Sequence, residues 1–217
     1  MLGLAAASLC AGIVRPIGAQ DQLDAAGATF RDFATLDNGA SFYQIEGTIS
    51  GGGPTDLSVA KLRGVDNAKG EARIRFEVVK AEVTLPLGWQ AGEDWERGVA
   101  FSADKRFRLI VWRVDFAYEG VRDGEHYVAT KAGSIQARRP QVKAQARKLA
   151  DGSFMVVYEN VPPSRGDAEQ RMVFDVLLTK TRDAKQGVLL TLGVPTSEAE
   201  RGLRLAALIK ASAKVDW

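Results

Sequence analysis

Few residues of the chain have the types and spacing that catalysis needs. His126 is the single histidine among 217 residues, so a serine–histidine–aspartate triad would have to use it. No Gly-x-Ser-x-Gly motif supplies the nucleophile, and Gly133-Ser134 falls on a predicted helix. Zinc usually takes several histidine or cysteine ligands, whereas Cys10 is the only cysteine. We therefore expect no metal, no cofactor and no enzymatic activity of these kinds.

Carboxylates are the remaining route to catalysis, and they cluster in the acidic, aromatic segment 93–96. A glycosidase needs two carboxylates that face each other across the substrate, which neighbours in sequence do not establish. A calcium loop needs alternating oxygen ligands followed by a late glutamate, and Asp94, Glu96 and Asp104 lack that pattern. We predict a solvated loop, with a carboxylate-dependent hydrolase as a minor alternative.

Two tryptophans, Trp89 and Trp95, lie in or beside that loop rather than within a periodic strand. Exposed tryptophans are frequent contact anchors in protein interfaces, and they also close small cores as lids. Both interpretations stay open from sequence. We take the loop as the candidate surface for contact with a protein partner.

Basic residues concentrate around one proline, at Arg138, Arg139, Lys143 and Arg147. Together with Lys131 they could form a cationic face for an anionic partner surface, such as lipid headgroups or an acidic protein. An ordinary solvated strand face is the alternative. Nucleic acid is not expected, because aromatic residues are not interleaved with the basic ones and the formal net charge is only +2.

Residues 1–19 have the length and apolar character of a secretory signal peptide. The uncharged run from Leu2 to Val14 is too short to span a bilayer, and Ala19 is a small residue at the predicted cleavage position. No lysine or arginine precedes the run, so a buried N-terminal helix is the alternative. The residues before Cys10 do not fit a lipidation signal. We predict a periplasmic protein with no lipid anchor, and no later run is apolar enough to span a membrane.

The elements that must position these residues follow from hydropathy. The composition, 46% hydrophobic and 26% charged residues, is that of a globular chain. Apolar–polar alternation predicts strands and 3.6-residue spacing predicts helices. In the first half, the predicted elements are strands at Phe42–Ile49, Leu57–Val65 and Ile74–Leu85, a turn at Gly51–Pro54, and a hairpin of Val99–Ser102 with Phe107–Phe116. In the second half, the predicted helices are one from an Asp123 cap to Arg139 and one capped by Ser197 with Glu200. Between these helices we predict strands at Val142–Arg147, Phe154–Tyr158, Met172–Thr181 and Gly187–Val194, with a turn at Asp151-Gly152.

This order predicts an α+β fold in which helices pack on the faces of an antiparallel sheet and the C-terminal helix is amphipathic. Both faces of Phe107–Phe116 are apolar, which predicts a central strand covered on both sides.

The chain resembles the PsbP-like superfamily in its segment Leu85–Trp89 and in the order of the elements that follow. These are paired strands, a helix, a meander of strands and a final helix. That superfamily contains the photosystem extrinsic protein, a Ran-binding import factor and bacterial envelope lipoproteins. The resemblance covers roughly residues 78–217 and leaves 20–77 as an N-terminal extension or small β-subdomain. It implies a non-enzymatic binding or assembly-accessory protein that acts through contacts with an envelope protein. The alternative is a carrier that holds a small apolar ligand between sheet and helix.

Overall fold

The computed structural model describes residues 23–35, 58–163, 168–181 and 184–217. The predicted signal peptide with Cys10, the predicted strand Phe42–Ile49 and the predicted turn Gly51–Pro54 lie outside these residues. Within the described ranges no helix is long and apolar enough to cross a membrane.

Two helices and twelve strands follow a short 3-10 turn at Phe30–Phe33 in the described residues. Their bounds in chain order are β1 Ser58–Val59, β2 Lys61–Asp66, β3 Glu71–Phe76, β4 Ala81–Pro86, β5 Gln90–Glu93, β6 Arg97–Phe101, β7 Arg108–Asp115, α1 Gly124–Arg138, β8 Lys143–Lys148, β9 Phe154–Val161, β10 Arg171–Thr179, β11 Gln186–Pro195, α2 Ala199–Ser212 and β12 Lys214–Val215.

The strands form two antiparallel sheets. The long sheet has the order β1-β5-β6-β7-β11-β10-β9-β8, and the short sheet has the order β12-β4-β3-β2. Helix α1 packs on β8, β9 and β10, whereas α2 packs on β4, β10 and β11. Two separate clusters of buried apolar residues lie beneath α2 and beneath α1. The predicted α+β fold, with helices on both faces of an antiparallel sheet, is confirmed.

Strand β7 is central in the long sheet and is covered on both sides, as its sequence predicts. Leu109 and Val111 belong to the cluster beneath α2, whereas Val114 belongs to the cluster beneath α1 and Trp112 packs against it. Alternation of side chains between the two faces of a strand produces this division. The predicted hairpin of β6 with β7 is also confirmed.

The prediction of a single strand running from Ile74 through Leu85 is wrong. The chain reverses at residues 77–80, where Lys80 has a φ of 55° and its N–H donates to the carbonyl of Glu77 at 3.2 Å. Val78 and Val79 continue the apolar character of the strand through this turn, and Val79 is buried. The sequence therefore carries no breaker signal where β3 ends.

The two helices begin differently from one another. Asp123 caps α1 as predicted, because its carboxylate accepts the His126 N–H at 2.8 Å, and that bond lowers the pKa of Asp123. The predicted Ser197 capping box of α2 is wrong. A 3-10 turn at Thr196–Glu198 precedes α2, and the N–H of Ser197 instead donates to the Glu169 carboxylate at 2.6 Å.

The described part of the predicted N-terminal extension packs into the core beneath α2. Phe30 and Phe33 of the 3-10 turn are buried there, together with Ala60, Ala72 and Ile74. The boundary at residue 77 stays a prediction.

Candidate functional site

The two tryptophans proposed as contact residues occupy opposite environments. Trp89 is 1% exposed and packs with Phe107 at a ring-centroid distance of 6.3 Å. Its assignment as a surface contact is therefore wrong, because the side chain belongs to the core beneath α2. Trp95 is 74% exposed in the turn between β5 and β6. The structure thus brings only one of the pair to the surface.

The four basic residues proposed as one cationic face lie on two faces. Arg147 of β8 donates to the sulfur of Met155 at 3.5 Å, and Met155 is buried beneath α2. Ala144 packs instead against the cluster beneath α1. Alternation along β8 therefore directs Lys143 and Arg147 away from α1. The single cationic face is wrong, because Arg138 and Arg139 stay on the α1 side.

Arg138 and Arg139 border a cavity between α1 and the long sheet. Ala132 is the last buried residue of α1, so the C-terminal half of the helix does not close onto the strands. The cavity beneath it has a volume of about 340 Å³, within the lower range of small-molecule sites. Its lining combines aliphatic, cationic and hydrogen-bonding side chains: Lys131, Ile135, Arg138, Arg139, Val142, Tyr158, Val161, Val173, Asp175 and Thr191.

One of the residues that line the cavity, Asp175, carries a buried carboxylate. Asp175 is 2% exposed, and strand pairing places it directly opposite Thr191. Thr191 Oγ1 donates to one carboxylate oxygen at 2.6 Å, and Lys131 Nζ approaches the other at 2.7 Å. A buried charge is costly unless it is paired and hydrogen-bonded. These two partners neutralise Asp175 and anchor α1 to the sheet.

Tyr158 contributes a hydrogen-bonding group without a partner. It is 2% exposed, and its Oη meets no hydrogen-bond partner among the described residues. Burial raises the pKa of Tyr158, and both the charge of Asp175 and a hydrogen-bonding contribution from that carboxylate raise it further. The phenol therefore keeps its proton and remains a donor. Its hydroxyl lies near the Asp175 carboxylate in the cavity wall without a well-formed hydrogen bond to it, and a bound acceptor could satisfy it better.

A second cavity of about 250 Å³ adjoins the first along α1. Lys131, Ile135 and Arg138 line both cavities. The second cavity also contains Trp112, whose buried Nε1 meets no hydrogen-bond partner in the described part of the chain. Lys131 Nζ lies 5.6 Å from the centre of the Trp112 ring. Each of the two cavities beside α1 is thus lined by one buried donor that makes no well-formed hydrogen bond to the described residues.

Sequence reasoning missed Asp175, Thr191, Tyr158 and Trp112. Asp175 carries a usable signal, because it is the only charge within the apolar run Val173–Leu178. An acid in a two-sided buried strand needs a cation opposite it, and Lys131 lies on the covering helix. The tyrosine and the tryptophan carry no such signal, since both types are ordinary core residues.

The acidic segment that was considered for catalysis forms a hairpin turn. Asp94 Oδ1 accepts the N–H groups of Glu96 and Arg97 at 2.8 Å each, and Glu93 is buried and accepts the N–H of Val78 at 3.1 Å. These carboxylates therefore organise the turn. The described ranges contain no group of three histidine, cysteine or acidic residues able to hold a metal ion.

No family model matches the chain, and no curated protein matches it. Among solved structures the chain is similar to the Ran-binding protein Mog1p of Saccharomyces cerevisiae, with 12% identity over 67% of this chain and 95% of that chain, and a TM-score of 0.46. Membership of the superfamily that the sequence resembles stays a prediction.

Proposed function

We propose that this protein is a non-enzymatic binding protein that holds a small amphipathic molecule between α1 and the long sheet. The observation that carries the proposal is a cavity of about 340 Å³ whose wall holds the Tyr158 hydroxyl, a protonated and buried donor that makes no well-formed hydrogen bond to the described residues. The mixed lining suits a ligand with both an apolar and a polar part. This is the carrier hypothesis that the sequence offered as its alternative.

Binding fits this cavity better than catalysis does. Asp175 is the one carboxylate among its lining residues, and Lys131 and Thr191 occupy its two oxygens. A two-carboxylate hydrolysis needs a second acid facing the first, and the lining does not supply one. The side chains are arranged to hold a molecule rather than to transfer protons.

The test uses the full chain and three eight-carbon probes that differ only in the head group: octanol, octanoate and octylamine. We expect at least one probe to shift the indole signal of Trp112 and the methyl signals of Ile135 in heteronuclear NMR spectra. Ile135→Trp should abolish the shifts by filling the cavity. Gln136→Trp adds the same ring to an exposed neighbour and should leave them intact. If no probe shifts these signals, the proposal is wrong.

A second candidate function is contact with a protein partner through the β5–β6 turn, as the sequence first indicated. The exposed ring of Trp95 favours it, because a large aromatic side chain that is 74% exposed is typical of an interface anchor. Affinity capture from the native periplasm, followed by mass spectrometry, should recover a partner that Trp95→Ala loses and Tyr118→Ala retains. Equal recovery with both variants would contradict this role.

Secretion to the periplasm is part of the proposal and rests on the composition of residues 1–19. N-terminal sequencing of the protein from fractionated cells should give a chain that begins at Gln20 in the periplasmic fraction. An intact N-terminus in the cytoplasmic fraction would contradict it.

A further inference from the structure

The polar groups that the first cavity offers to a ligand are donors. Tyr158 contributes an O–H that lies near Asp175 but makes no well-formed hydrogen bond to the described residues, and Arg138 and Arg139 contribute guanidinium groups at the end of α1. The only acceptor with a full charge, Asp175, is already bound by Lys131 and Thr191. A ligand that satisfies this lining must therefore accept hydrogen bonds.

The charge balance of the cavity favours a negative ligand. Three cationic residues, Lys131, Arg138 and Arg139, line it against one acid, Asp175. Asp175 takes up the charge of Lys131, which leaves the two arginines. Arg138 uses its Nε to donate to the carbonyl of Ser134 at 3.2 Å, and its other nitrogens remain available. Arginine forks match the geometry of carboxylates.

The apolar part of the lining suits a hydrocarbon chain. Ile135, Val142, Val161 and Val173 form aliphatic walls. The volume of about 340 Å³ lies at the lower end of the range for small-molecule sites. A medium-chain acid, with its chain against these walls, fits a site of this size.

Building on the proposed function, we infer that the ligand is a medium-chain organic carboxylate. Its head group accepts from Tyr158 and pairs with Arg138 and Arg139, and its chain lies against the aliphatic wall. Lys131 and Thr191 hold Asp175 neutralised beside it, so the two carboxylates do not repel each other at full strength.

Isothermal titration calorimetry of the full chain with octanoate, octanol and octylamine tests the inference. We expect octanoate to bind at least tenfold more tightly than octanol, because hydrogen bonds to a charged group are worth roughly ten- to a hundredfold in affinity. Octylamine should bind most weakly. Added salt should weaken the binding of octanoate more than that of octanol.

Two sets of variants locate the head group. Tyr158→Phe and the double variant Arg138→Gln/Arg139→Gln should each weaken octanoate about tenfold. The double variant should leave octanol unchanged, whereas Tyr158→Phe should weaken octanol less than octanoate, because an alcohol oxygen also accepts a hydrogen bond. The matched controls are Tyr118→Phe, at an exposed tyrosine, and Arg204→Gln, on the exposed side of α2. Neither should alter octanoate binding. The arginines are exposed, so their variants remain informative if Tyr158→Phe proves unstable.

The outcomes separate this inference from the proposed function. If octanol binds as tightly as octanoate and Ile135→Trp abolishes both, the cavity is a ligand site and the inference of an anionic ligand is wrong. If none of the probes binds, or if Ile135→Trp leaves octanoate binding intact, both the inference and the cavity proposal are wrong.

Discussion

The two faces of the long sheet are covered by helices of similar length but to different degrees. Beneath α2, which spans Ala199–Ser212, the space enclosed between helix and strands amounts to about 10 Å³ and is lined by apolar side chains. Beside α1, which spans Gly124–Arg138, the cavities measure about 340 and 250 Å³. The face beneath α2 is closed, with tightly packed apolar side chains. The face beside α1 is open, with cavities whose lining includes polar side chains.

The two faces differ because the two helices carry different residues on the side that faces the strands. Gly202 of α2 lets its backbone approach so closely that an added Cβ would lie 2.7 Å from a methyl group of Val194. Helix α1 instead has Lys131 on that side. Its long side chain reaches Asp175 across the space between helix and strands, and room is left beside the ion pair. The closed face is the more tightly packed of the two, and the open face holds the two cavities that we propose as a ligand site.

The largest loss of stability is expected where the closed face loses its largest fully buried side chain, that of Trp89. Trp89→Ala should lower the free energy of unfolding by about 3–5 kcal/mol, as truncation of a buried aromatic residue does. Trp95→Ala, in the exposed turn, should change it by about 0.5 kcal/mol or less. Urea denaturation of both variants measures the difference. Equal losses would show that the β5–β6 turn is part of the core.

The open face depends on its ion pair more than on its apolar contacts. Lys131→Met should cost about 3 kcal/mol, the lower end for a broken buried ion pair, because Lys131 is partly exposed and Thr191 still donates to the Asp175 carboxylate. The double variant Lys131→Met/Asp175→Leu should recover most of this loss, since no unpaired charge remains. Thermal and urea unfolding of the single and double variants test this. A double variant no more stable than Lys131→Met would contradict the pairing as the source of the loss.

Most of the architecture was predictable from local sequence patterns. The alternation in β7, the Asp123 cap of α1 and the Asp151-Gly152 turn each produce the predicted element, because nearby residues determine them. In that turn Gly152 has a φ of 85° and Ser153 bonds to Asp151. The β3–β4 turn was not predictable, since valines fill it and burial replaces the usual turn residues.

The candidate site was predictable only in part. Arg138 and Arg139 were proposed as binding residues, and they border the cavity because α1 ends there. Their separation from Lys143 and Arg147 depends on which side of β8 faces the helix, and that follows from strand pairing. The Asp175–Thr191 contact likewise arises from the register of two strands. The spacing of residues along the chain does not determine which residues of two strands pair. The single acid in an apolar strand does indicate that a cationic partner must lie opposite it.

A smaller effect should distinguish how closely the two helices approach the sheet. Gly202→Ala on the closed face should lower the free energy of unfolding by about 1–2 kcal/mol. Overpacking against Val194 and Phe174 costs about 1–3 kcal/mol, and the better helix propensity of alanine offsets part of it. Urea denaturation measures the net effect. A stabilised variant would mean that α2 has room to move away from the strands.

Alkaline pH should lower the free energy of unfolding through two tyrosines of the cluster beneath α1. Burial raises the pKa of Tyr127 and of Tyr158, whereas the unfolded chain ionises its tyrosines at about pH 10. The folded state therefore retains protons that the unfolded state releases, and stability falls as the pH rises above 10. For each tyrosine the loss should approach about 1.4 kcal/mol per pH unit. Urea denaturation at pH 9 and pH 11 should show a smaller fall for Tyr158→Phe, and an unchanged fall would contradict this role.

The smallest expected effect has the opposite sign and concerns the glycine of α1. Gly133 lies on the exposed side of α1, and a Cβ added there would meet nothing within 4 Å. Gly133→Ala should therefore raise the free energy of unfolding by about 0.5–1 kcal/mol, through the lower conformational entropy of the unfolded chain. Binding of octanoate should be unchanged, since the new methyl group lies outside both cavity linings. A destabilised variant would contradict the exposed position of Gly133, and a variant that no longer binds octanoate would mean that the ligand contacts the outer side of α1 and not the two cavities.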